Sequence, residues 1–174
     1  ILDGQNGIYD NSSNGNLPYI TINKIKTDND NNLFITNPYS EHFNHPIAIR
    51  QHSTGYFYHV EDSEIAYLPQ EIAIDNNGNV WISYQYELDL SDTFEYSPGG
   101  IRMVEVRNIS DENDDKWHND WLPELEGVNV WSIDIGYNEY NDEILWILCD
   151  LGVQGYILNK SYSQSGSINI EFQK

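Results

Sequence analysis

The chain has one cysteine, Cys149, and one methionine, Met103, in 174 residues. A lone thiol can form neither an internal disulfide nor a cysteine-based metal site, and its place after the apolar run 145–148 marks it as buried and inert. Alanine is nearly absent. Ala48, Ala66 and Ala73 stand against 21 isoleucines and 13 tyrosines, so residues that favour strands far outnumber those that favour helices. The chain therefore reads as all-β. Bases are scarce as well: eight Lys and Arg face 28 Asp and Glu, a formal charge of -20. Such a surface repels phosphate, which excludes nucleic acid and acidic membranes as partners, and it keeps the protein soluble in salt. No apolar run approaches the ~20 residues of a membrane span, so direct membrane insertion is not expected. The opening Ile1, Leu2 and Asp3 show neither an initiator methionine nor a leader pattern, and the chain reads as an excised or processed segment.

What is present is a repeat. Ile72, Ala73 and Ile74 alternate into the turn 75–79, and Val80, Trp81, Ile82 and Ser83 return, the pattern of a hairpin. An earlier copy has strand 20–25, turn 28–32 and strand 33–36. A later one has strand 130–135, a longer turn 136–143 and strand 144–148. The repeat makes Phe34, Trp81 and Trp146 equivalent. Their spacings of 47 and 65 residues suit one blade of a β-propeller and a second blade carrying insertions. Third strands follow at 46–50, 100–106 and 155–158. Fourth strands are expected at 56–60 and 168–172, with only a short extended or irregular piece around 117–121 in the second unit. The expected organisation is residues 1–19 as the tail of a preceding blade or a loop, and blades at 20–63, 64–126 and 127–174, the second with an acidic insertion. A four-stranded blade cannot cover its own apolar faces. The three aromatics are the natural wedges, each removing ~150–250 Å² from water, or about 4–6 kcal/mol as an upper bound. Propellers typically need at least about four blades, so about three four-stranded antiparallel blades imply part of a larger closed propeller, with the remaining blades of the same polypeptide as partners.

Residues 72–82, followed by Gly99, Gly100 and Ile101, resemble the repeat of two-component-regulator-type propellers: a strand, Asp75, the Gly78-Asn79 turn, Trp81-Ile82, then a glycine opening the next strand. Residues 33–40 leading to 46–49 are similar to propellers of surface proteins associated with type IX secretion, and residues 146–156 fit the same scheme. The resemblance covers roughly residues 20 to 160. It implies a periplasmic, cell-surface or secreted protein of a Bacteroidetes-like bacterium that senses, binds glycans or proteins, or attaches secreted cargo. The enlarged third turn and the acidic insertion depart from that pattern.

Chemistry-bearing constellations are few. Asp28, Asp30 and Asn32 have the one-three-five spacing of Ca²⁺ ligands, but Leu33 stands where that loop needs glycine and Tyr39 where it needs a bidentate glutamate, so a polar turn is the reading. His42, His45, His52 and His59 crowd into eighteen residues beside Glu41, on loop and strand with no ligand spacing, and read as surface histidines. No nucleophile elbow, phosphate loop or HExxH helix appears, and the dense Gly-Pro-Asp-Gly-Asn form of streptogramin-lyase-like propellers is missing. No catalytic, cofactor-binding or metal residue is singled out, and no cofactor is implied. Tyr39, Tyr84, Tyr86, Trp117 and Trp121 are candidates for stacking on sugars or gripping a peptide, or for packing between blades. The expectation is a non-catalytic segment that binds a protein or glycan ligand. A carbohydrate-active hydrolase or lyase, and the sensor domain of a two-component regulator, remain as alternatives.

Overall fold

A computed structural model describes residues 7–8, 20–38, 45–61, 68–88, 96–111, 113–119, 121–164 and 166–174. In chain order the strands are β1 (Ile25–Thr27), β2 (Leu33–Thr36), β3 (Ile47–Arg50), β4 (Phe57–Val60), β5 (Pro69–Ile74), β6 (Val80–Tyr84), β7 (Tyr86–Leu88), β8 (Tyr96–Pro98), β9 (Ile101–Glu105), β10 (Lys116–His118), β11 (Val130–Tyr137), β12 (Glu143–Cys149), β13 (Gly152–Tyr162) and β14 (Ile168–Gln173). They form three four-stranded antiparallel sheets, β1-β2-β3-β4, β5-β6-β9-β10 and β11-β12-β13-β14, while β7 and β8 make a two-stranded ribbon inserted in the second. The described residues hold no α-helix, only a single 3-10 turn at Pro123–Leu125. The expectation of an all-β chain with three four-stranded antiparallel units holds.

One turn recurs in all three sheets. Asp28, Asp75 and Asn138 each close a five-residue loop whose first N–H donates to the fifth carbonyl, at 3.1–3.2 Å. The first side chain accepts from the N–H groups of residues three and five, as an Asx turn does. The fourth residue has positive φ in each case: Asn31, Gly78 and Asn141. The first and fifth side chains also bond to each other. Asn32 Nδ2 donates to Asp28, and Asn79 Nδ2 to Asp75, but in the third turn Asn138 Nδ2 donates to Asp142 at 2.9 Å. Amide and carboxylate have exchanged places.

This corrects two expectations. The third turn is not enlarged: β11 runs on to Tyr137, and the loop 138–142 has the same length as the others. Counted from the turns, the residue equivalent to Phe34 and Trp81 is Ile144, and Trp146 falls at the position of Thr36 and Ser83. Trp146 is accordingly no buried wedge. It is 46% exposed, whereas Phe34 and Trp81 are buried. Its ring lies across the sheet over two glycines. A Cβ on Gly155 would stand 2.8 Å from its Cζ3, and one on Gly136 would stand 3.1 Å from its Nε1. The uncertain fourth strand of sheet two is the short β10, with Trp121 beyond it in irregular chain.

Packing follows the alternation of side chains across each strand. Val80, Ile82 and Tyr84 of sheet two meet Phe34, Ile49 and Val60 of sheet one. Trp81 and Met103, on the opposite face, meet Leu145, Ile147 and Tyr156 of sheet three. Sheet two is thus covered on both sides, and all five residues of β6 are buried. In β12, Leu145, Ile147 and Cys149 are buried, while Trp146 and Leu148 on the other face are exposed.

Candidate functional site

The most buried ionic group lies where sheets two and three meet. Lys160 reaches from β13 to Asp75 Oδ2 at 2.8 Å and to Glu143 Oε2, and all three side chains are nearly inaccessible to water. Asp75 also accepts from two backbone N–H groups of its turn, from Asn79 Nδ2 and from the Trp81 indole at 3.2 Å. Glu143 accepts from the Asn76 N–H at 2.8 Å and from the Tyr137 phenol at 3.3 Å. Desolvation first and Glu143 second hold that phenol above its ordinary range. In sheet two the positions of Glu143 and Lys160 are the apolar Val80 and Val106, so the ion pair enters as a matched exchange. A third buried carboxylate, Glu105, meets His118 Nε2 at 2.7 Å, with Lys116 and Arg107 farther out. The His118 ring stacks on Trp121 at 4.2 Å. These acids hold sheets and turns together.

A different arrangement occupies the end of the molecule where β6 runs into the β7-β8 ribbon and β12 turns into β13. A β-bulge between Val130 and Ser132 leaves Trp131 outside the ladder, and a bulge re-aims the residue it extrudes. Trp131 is 47% exposed. Its indole N–H donates to Asp150 Oδ1 at 2.8 Å, and Asn129 Nδ2 donates to the other carboxylate oxygen at 2.8 Å. Asn129 Oδ1 in turn accepts the Tyr86 N–H at 2.8 Å, at the root of the ribbon. The ribbon is seated by Gly100 N–H on Val128 O, and Gly99 comes so close that a Cβ there would meet Val128 O at 2.5 Å. The Asn129 amide, then the Trp131 N–H, hold the Asp150 carboxyl below the usual carboxylate range, with partial desolvation opposing. Leu151, beside Asp150, is exposed.

Residues singled out in the sequence have other duties. Asp28 turns both carboxylate oxygens onto its own loop, at Asp30 N–H, Asn32 N–H and Asn32 Nδ2, and Asp30 contributes only its N–H to that network. His45 and His59 meet edge to face at 6.0 Å, with His59 Nε2 2.8 Å from Gly7 O. His52 follows β3, where its N–H donates to Asn32 Oδ1. His42, Glu41 and Tyr39 lie outside the described residues, among which no group of three or more His, Cys, Asp or Glu is placed to hold a metal ion. Tyr84 is buried beneath Arg102, Trp117 donates to Glu61 O at 2.7 Å, and Trp121 packs against Trp81 and Phe172. The exposed aromatics among the described residues are instead Tyr56, Trp131, Tyr137, Tyr140, Trp146 and Tyr162. Their signal was absent from periodicity, because a bulge and a flat glycine bed place the two indoles.

No family model and no curated protein matches the chain. Among solved structures it is similar to PorZ, described as an essential bacterial surface component of the type-IX secretion system of Porphyromonas gingivalis, with a TM-score of 0.56 and 13% identity. The match covers 91% of this chain and 22% of that one. At that identity the likeness establishes a distant structural relationship, a shared fold over roughly a fifth of a larger protein. No helix among the described residues is long and apolar enough to cross a membrane.

Proposed function

We propose that the three sheets are consecutive blades of a larger β-propeller, divided near residues 63 and 126, in a protein of the bacterial envelope or surface that binds a protein or glycan without transforming it. A role in type IX secretion or surface attachment belongs to the same proposal. The observation that carries the non-catalytic reading is the fate of the buried acids. Asp75, Glu105 and Glu143 are each spent on lysine, histidine, indole or backbone donors, whereas general acid-base chemistry on a glycan needs two carboxylates free to face a substrate. The open face of sheet three, with Trp146, Leu148 and Val153, matches in position the faces of sheets one and two that the next sheet covers. A further blade is the occupant proposed for it.

The test is retention against turnover. The protein is presented with bacterial surface polysaccharides and envelope proteins, and both binding and product formation are followed. Retention with no product is the expected result. Release of oligosaccharide, abolished by a single Asp→Asn or Glu→Gln change, would establish a hydrolase or lyase instead.

A further inference from the structure

The braced indole of Trp131 has a chemistry that its neighbours define closely. Its N–H is already given to Asp150, so toward a ligand it offers only its π face. The Asn129 amide gives one N–H to Asp150 and accepts the Tyr86 N–H, so it is held in place from both ends. Asp150 spends one acceptor site of each oxygen on these donors, and a carboxylate has about four such sites, so the rest remain. The constellation therefore presents an aromatic face beside an acceptor-only anion. It sits on a chain of formal charge -20.

We infer that Trp131 and Asp150 form a binding site for a cationic side chain, an arginine or lysine carried by a basic segment of a partner protein. A cation over an indole face is attracted by the ring quadrupole, most strongly for tryptophan. The neighbouring carboxylate supplies the matching charge and accepts the N–H groups of a guanidinium. The field of the acidic surface gathers such segments and speeds their arrival. A neutral sugar would also find the ring face and could give a hydroxyl proton to Asp150, but it carries no charge for the carboxylate and the acidic surface to attract, and an anionic glycan would be repelled. The inference rests on the reading of this protein as a binding module and names the ligand class of one site on it.

The experiment titrates the protein with a capped peptide of alternating glycine and arginine, following the indole N–H resonances. Neutral oligosaccharides and a glutamate version of the peptide are run alongside. The Trp131 resonance is expected to move and saturate with the arginine peptide alone, with affinity falling as salt rises. Trp131→Ala and Asp150→Asn should each weaken binding about two- to fivefold. The asparagine still accepts the indole N–H, so that variant keeps the fold. Equal binding by both variants would show the peptide held diffusely by the acidic surface and would overturn the site. Movement of Trp131 with an oligosaccharide and not with the peptide would overturn the cationic ligand, as would no movement with either. All three results leave the binding-module reading standing, and only glycan turnover removes that.

Discussion

Asp150 and Lys160 are the residues on which most depends, in opposite settings. Asp150 is exposed, and its pKa is lowered by the Asn129 amide and then by the Trp131 N–H. A carboxyl whose folded value lies below the unfolded one, about 3.9, contributes fully above that value and loses its contribution as the pH falls through the lowered one. The Trp131 brace is therefore intact at neutral pH. An acid titration of the Trp131 indole resonance should show a single step below the usual carboxylate range, and Asp150→Asn should abolish it. Lys160 is buried between two carboxylates, and removing one member of such a group leaves uncompensated charge inside. Lys160→Met should cost about 3–5 kcal/mol in urea unfolding. Adding Glu143→Val, which restores the valine that sheet two carries at Val80, should recover most of the loss. A double variant no more stable than the single one would show that Asp75 alone sets the cost.

Among the elements, the turns carry the repeat. The exchanged pair in the third turn makes a clean cycle. Asn138→Asp alone places a second carboxylate against Asp142, where the present amide donates at 2.9 Å. It should destabilise by about 1 kcal/mol. Asn138→Asp with Asp142→Asn recreates the form found at Asp28 and Asp75, and should return to within a few tenths of the parent by thermal unfolding. The same exchange explains what was legible. The first two hairpins could be read directly, because Asp28 to Asn32 and Asp75 to Asn79 share polarity and order. In the third, Asn138 and Asp142 hide the register, while Trp146-Ile147 copies Trp81-Ile82 letter for letter two residues too late. Matching letters instead of turn chemistry moved the aromatic into a core it does not enter. The Trp131 site was illegible for another reason. It joins residues 86, 129, 131 and 150 through a bulge and an inserted ribbon, and no local spacing records either.

At the scale of the whole molecule, each sheet is completed by the next. Sheet two is buried on both faces, while sheet three has one face covered by sheet two and one open. That asymmetry is what makes these sheets consecutive units of an array, with Phe34 and Trp81 closing the two junctions. The five tryptophans, at 81, 117, 121, 131 and 146, report on the arrangement together. Site-resolved hydrogen exchange of their indole N–H groups, on dilute protein so that open faces do not associate, tests the stacking most directly. The account predicts that Trp81, buried and bonded to Asp75, exchanges slowest and only through global unfolding, while Trp146 exchanges close to the unprotected rate. Trp146 protected as well as Trp81, or Trp81 exchanging as fast as Trp146, would contradict it.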